Sequence, residues 1–187
     1  MFSEGRYEVK LPWRKHHPEL LDNEVIARKR LRHLMTRLDK DPSLRERYDA
    51  ALCEMEESGV IEEVPEGEPT PDKLFYLPHR PVIRESSAST KIRPVFDASC
   101  TGYNDVSLND CLEAGTSLIP DLTEILLRFR RWPYAITADI AKAFLQIRLS
   151  SNEKDEHRFL WQCQGRIRTM RFNRVTFGVI CSPFLLN

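Results

Sequence analysis

Apolar positions first recur at helical spacing in residues 22–38, DNEVIARKRLRHLMTRL, where Ile26, Leu31, Leu34, Met35 and Leu38 share one face. Asp41-Pro42 interrupts the pattern, and residues 43–58 resume it with Leu44, Tyr48, Ala51, Leu52 and Met55. Ser43 with Glu46 forms a candidate capping box, and Gly59 a C-terminal stop. Residues 22–58 are therefore expected to form a helical hairpin. Residues 60–72, VIEEVPEGEPTPD, predict a short extended piece running into a linker. From Phe75 onward LFYLPH, RPVI and KIRPVFDAS look extended, with turn-rich separators. PDLTEILLRFRRWP (120–133) predicts a helix opened by Pro120 and closed before Pro133. YAITADI, FLQIRL, RFLWQ and RIRTMRFNRV are strand candidates, and YAITADI alternates. TFGVICSPFLLN stays apolar to the last residue without a helix-terminating signal, so the expectation is a chain cut off mid-helix.

The remaining bulk properties narrow the class. With 187 residues, 41% apolar and 30% charged, the chain is long enough for one globular domain or a small domain with an appendage. Its apolar runs are too short to cross a bilayer, and its N-terminus, MFSEGRYEVK, lacks a signal-peptide core. The expectation is an intracellular, cytoplasmic protein with no membrane partner. Cys53, Cys100, Cys111, Cys163 and Cys181 are scattered and odd in number, which argues for reduced thiols and against a disulfide framework or a zinc module. The net charge is zero but uneven. Residues 54–72 hold eight acidic side chains and no basic ones, whereas residues 73–187 hold 16 Lys and Arg against 11 Asp and Glu. That surplus permits a polyanionic partner.

One carboxylate stands out. Asp139 lies in AITADIAKAF, in small and apolar company. A charge there needs a hydrogen-bonding backbone, a basic partner or a metal ion, or it caps the turn AKAF that follows. Lys91 and Arg93 alternate on KIRPVFDAS, which offers two cations to one polyphosphate or makes an ordinary solvated strand face. Phe144, five residues after Asp139, reads as a core aromatic or as a neighbour of a bound ion. FGVICSP reads as a turn entering a helix.

In order, KIRPVFDAS, SLND, TADIAKAF and FGVICSP resemble the blocks of a reverse transcriptase. RYEVKLPW, YLPHRPVI, KIRPVFDAS, SLNDCL, LLRFRRWPYAITADI, FLQIRL and RFLW are similar to the polymerase region of BEL/Pao-type LTR retrotransposons, and the resemblance covers residues 6–187. It implies an α+β chain: a helical connector with an acidic, proline-containing linker over 1–72, then an incomplete right-hand polymerase over 73–187. Residues 73–133 would be fingers and the palm entry, and residues 134–187 the first part of the palm. The hairpin would join an upstream aspartic protease to the polymerase.

The resemblance also implies roles for individual residues. Asp139 would be the first catalytic aspartate and a ligand to two Mg2+ ions, with the Ile140 carbonyl as an extra ligand. Lys91 and Arg93 would hold the incoming deoxynucleotide's triphosphate. Phe144 would be the steric gate against a ribose 2′-hydroxyl, and Phe177 and Gly178 the turn beneath nucleotide and template. Asp97 and Asn109 would be structural. Arg128, Arg130 and Arg131 would serve an RNA or DNA template-primer, or form a solvated helix end. Protease, ribonuclease H and integrase regions would adjoin in the polyprotein. The other two catalytic aspartates belong to a Tyr-x-Asp-Asp hairpin that this sequence lacks. The chain alone is therefore expected to be inactive and loosely folded over its C-terminal third. Two other readings stand beside this one: a non-catalytic nucleic-acid or protein binding module, and an interaction segment centred on residues 22–58.

Overall fold

The computed structural model describes residues 2, 3, 5–84 and 91–187. The helical hairpin is present as α1 (Glu24–Leu38) and α2 (Pro42–Glu57). α1 buries Ala27, Leu31, Leu34, Met35 and Leu38, so the stripe runs through Ala27 and leaves Ile26 at its margin. α2 starts two residues earlier than the Ser43–Glu46 capping-box pattern suggests. Pro42 takes the first helical position, and the Asp41 carboxylate accepts the Leu44 N–H at 3.0 Å. Gly59 ends the helix with φ +66, and the Gly59 and Val60 amides donate to the Glu56 and Met55 carbonyls.

Neither helix depends on the other alone. α1 packs on β4 (His79–Ile83) and β7 (Arg158–Cys163), and α2 packs on β3 (Ile61–Glu63) and β5 (Ile92–Phe96). Their buried side chains join one core with Phe75, Phe96, Phe159, Trp161 and Phe172. The rings of His79, Phe96, Phe159 and Phe172 meet at centroid distances of 4.7–5.5 Å. Tyr48 of α2 donates its hydroxyl to His79 Nδ1 at 2.5 Å, while Nε2 donates to the Leu160 carbonyl at 2.7 Å, which fixes the tautomer. Asn23, fully buried before α1, bonds both the N–H and the C=O of Tyr76 through its amide.

The remaining elements, in chain order, are β1 (Phe2–Ser3), β2 (Arg6–Val9), α3 (Leu108–Cys111), α4 (Leu122–Phe129), β6 (Arg148–Leu149), β8 (Arg166–Phe172) and α5 (Ser182–Leu186). The strands form three small sheets: β1-β2-β6, β3-β8-β7 and the β4-β5 ribbon. β2 pairs with β6 in parallel, and the Glu153 carboxylate holds the chain just after β2 by accepting from Leu11 N–H and Trp13 Nε1.

The acidic stretch is more than a linker. β3 pairs with β8 antiparallel, and its neighbouring acids meet the arginines of β8. Arg168 pairs with Glu56 and Glu63, and Arg171 with Glu62, Glu68 and Asp155.

Two expectations change. YAITADI forms no strand. Residues 133–140 are exposed and make no backbone hydrogen bond with another described residue. Alternation of apolar and polar positions suits a strand, but a strand also needs a ladder partner, and none lies alongside. The C-terminal third is not loose: Phe159, Met170, Phe172, Val175, Val179 and Cys181 are core residues. Exposed apolar surface sits instead on residues 113–142, an excursion whose every residue is exposed. Among the described residues, no helix is long and apolar enough to cross a membrane. All five cysteines are free thiols, and burial raises the pKa values of Cys53, Cys100, Cys111 and, to about 11, Cys181.

Candidate nucleotide and nucleic-acid site

The β4-β5 ribbon sets the cations. His79 pairs with Phe96, Pro81 with Pro94 and Ile83 with Ile92, so His79, Ile92 and Phe96 face the core. The alternate positions must point the other way. They are Arg80, Val82, Arg93 and Val95, and the register continues to Arg84 and Lys91, whose backbones are bonded at 2.8 Å. Arg80, Arg84, Lys91 and Arg93 are all exposed, and none has an ion-pair partner among the described residues. Rungs two residues apart repeat at about 7 Å along a strand. The ribbon therefore carries Arg84 with Lys91, then Arg93, then Arg80, as a ladder of charge. Sequence reasoning named Lys91 and Arg93 and missed Arg80 and Arg84. The same period-two spacing in HRPVIR was the available signal, but only strand pairing puts both sets on one face.

The far end of β5 meets the FGVICSP turn. Gly178 has φ +96, and a Cβ there would lie 2.3 Å from the Phe96 carbonyl oxygen. Asn109 clamps the turn from α3: its Nδ2 donates to the Gly178 carbonyl (3.0 Å) and to Ser99 Oγ (2.8 Å), and its Oδ1 accepts from Ile180 N–H (2.8 Å). α3 is held by a capping box between Ser107 and Asp110, and these bonds lower the Asp110 pKa. Ser182 closes the turn by donating its hydroxyl to the Thr176 carbonyl at 2.6 Å. Phe177 stands exposed on this turn with its ring edge-to-face against Phe144, centroids 4.3 Å apart. Phe144 itself is half-buried in the 3-10 turn Ala143–Gln146.

Thus Phe144, Phe177 and Gly178 come together, and Gly178 lies about 10 Å along β5 from Arg93. Asp139 and Ile140 do not join them through any contact. Asp139 is exposed and makes no hydrogen bond or ion pair with another described residue. The turn after it is anchored at Lys142, which has left-handed backbone (φ 51) and pairs with Glu54 of α2 at 2.6 Å. Arg128, Arg130 and Arg131 sit at the end of α4, where Arg128 pairs with Glu124 and Arg131 lies over the Trp132 ring.

Among the described residues, no group of three or more His, Cys, Asp or Glu side chains is arranged to hold a metal ion. One carboxylate and one carbonyl do not fit two magnesium ions.

No family model matches this sequence, and no curated protein matches it. Solved structures do. The foamy viral protease-reverse transcriptase dRH, solved in complex with ds DNA, matches with a TM-score of 0.54 and 19% identity. The match covers 78% of this chain and 21% of that one, so the chain spans about a fifth of that protein's length. At that identity the likeness bears on architecture, and over most of its length this chain has the fold of part of a reverse transcriptase.

Proposed function

We propose that this chain is the fingers and first palm segment of an RNA-directed DNA polymerase of the BEL/Pao retrotransposon type, inactive alone. Residues 1–72 would be its connector and residues 73–187 its polymerase part. The observation that carries the reading is the contact between Phe144 and Phe177 on the clamped Gly178 turn, about 10 Å along β5 from Arg93, which has no ion-pair partner among the described residues. In this reading the ribbon cations neutralise phosphates and the two rings bound the nucleotide's sugar. Asp139, exposed and without a partner among the described residues, and the Ile140 carbonyl would be this chain's contribution to the magnesium site. Magnesium would supply the charge that activates the primer hydroxyl and steadies the phosphates once further carboxylates complete its ligand set.

Template-primer binding by the 187-residue chain tests the phosphate role. If the four ribbon cations are the phosphate contacts, the log–log salt slope is about −3 to −4. Lys91→Ala with Arg93→Ala is expected to flatten it by about two, and an unchanged slope overturns the assignment. Asp139→Ala is expected to leave binding intact. In a longer product that pairs this sequence with a Tyr-x-Asp-Asp hairpin, Asp139→Asn is expected to abolish primer extension. Extension at the parent rate would overturn the role given to Asp139.

A further inference from the structure

The outward face of α1 is a stripe of cations. Its buried residues, Ala27, Leu31, Leu34, Met35 and Leu38, fix which side of the helix meets the core. At 3.6 residues per turn the opposite side carries Lys29, Arg32, His33, Thr36 and Arg37, at i, i+3, i+4, i+7 and i+8, and all five are exposed. Lys40 follows in the turn after the helix and is exposed too. Lys29, Arg32, Arg37 and Lys40 have no ion-pair partner among the described residues. The acids of this region are engaged, Glu24 with Arg28 and Asp39 with Arg45 of α2. The helix dipole accounts for cations at the C-terminal end, but not for Lys29 and Arg32 further back. Arg28, Lys29 and Arg32 stand three and four residues apart with like charge, which works against the helix.

We propose that this face binds the phosphate backbone of a nucleic-acid duplex, as a second contact surface separate from the β4-β5 ribbon. The chemistry of the face selects the occupant. Val25 is the one large apolar side chain exposed on α1. A protein partner is held by buried aromatic or aliphatic anchors, and a membrane surface by an apolar helix face that inserts. α1 has neither to offer, because its apolar face lies in the core. A phosphate backbone needs no anchor, since neutralised charges and released counterions hold it. The helix has 15 residues, and its length of about 22 Å runs along about six base-pair steps of a duplex. The face also lies apart from the ribbon cations. Ala27 and Leu31 line a small void with His79 and Leu160, on the ribbon face opposite Arg80 and Arg93. This surface goes beyond the polymerase reading, since it uses none of Asp139, Phe144, Phe177 or the ribbon cations.

Fluorescence anisotropy with a short blunt DNA duplex tests it, on the 187-residue chain carrying Arg80→Gln, Arg84→Gln, Lys91→Gln and Arg93→Gln to silence the ribbon. The expected result is remaining duplex binding with a log–log salt slope of about −3 to −4, from Lys29, Arg32, Arg37 and Lys40. Adding Lys29→Gln, Arg32→Gln and Arg37→Gln should flatten that slope by about three and weaken binding at low salt at least about tenfold. Glutamine keeps helix propensity and the three sites are exposed, so the urea midpoint read by Trp161 fluorescence should not fall. If the three α1 changes leave the slope as it was, the proposal is overturned, while the ribbon assignment still rests on its own slope. Loss of all duplex binding on silencing the ribbon alone overturns it equally. Binding to phosphatidylserine vesicles in place of the duplex overturns it and assigns the face to a membrane surface.

Discussion

Gly178→Ala isolates the contact on which the candidate site is built. An alanine at φ +96 costs about 1–2 kcal/mol of backbone strain wherever it sits. Here the added methyl would also lie 2.3 Å from the Phe96 carbonyl oxygen, a backbone atom that cannot rotate away. Moving that carbonyl disturbs a ring packed edge-to-face on Phe159 (4.9 Å) and Phe172 (4.7 Å). Overpacking of that kind adds about 1–3 kcal/mol, for a total near 3 kcal/mol. Gly59→Ala is the control, since it has a similar positive φ (+66) with nothing within 4 Å of the new Cβ. Its cost should stay near 1 kcal/mol. Urea unfolding followed by Trp161 fluorescence measures both, at unchanged m-value. If Gly178→Ala costs no more than Gly59→Ala, the close approach of β5 and the FGVICSP turn is not present in solution, and the site loses its floor.

Two further outcomes follow from the charges. Burial lowers His79 and His157 to about 4 and raises Glu156 to about 7. The unfolded chain therefore takes up two imidazole protons that the folded chain refuses as pH falls from 6.5 toward 4, while the neutral Glu156 carboxyl offsets one of them between pH 7 and 4.5. Stability should fall by about 1.4 kcal/mol per pH unit between pH 6 and 5. Glu156→Gln should roughly double that acid-side slope, and an unchanged slope in pH-resolved urea titrations would contradict the buried neutral acid. Arg168→Ala strands Glu56 and Glu63 and removes the guanidinium from the Trp161 face. It should cost about 2–3 kcal/mol by the same assay, with part of the loss recovered by Glu63→Gln.

What the sequence disclosed followed the range of each interaction. The helices were legible because a 3.6-residue period and a cap act within a few residues. Even there Pro42 shifted the start, since its fixed φ suits the first helical position and frees Asp41 to cap. Asn109 was legible as a structural residue, and the structure supplies its two bonds to the Gly178 turn and a third to Ser99. YAITADI was misread because alternation reports side-chain environment and not pairing, and the pairing of a strand is decided far away in the chain. Arg80 and Arg84 escaped for the same reason: a face of the ribbon exists only once β4 and β5 are in register.

Charge counted along the chain misleads in a related way. The surplus of basic residues in 73–187 permits a polyanionic partner but says nothing of where its charges lie. In the fold, Lys142, Lys154, Arg166, Arg168 and Arg171 all reach back to acids between Glu54 and Glu68. Those five cations equal the whole surplus, so the acidic stretch neutralises it from within and stitches α2 and β3 to β8. Within 73–187, four cations without an ion-pair partner among the described residues, Arg80, Arg84, Lys91 and Arg93, lie on one ribbon at strand spacing. Under the proposed function, a nucleic acid would meet this ladder rather than the whole basic surplus of 73–187. This is why the salt slope of binding, which counts contacts, separates the two pictures where affinity alone would not.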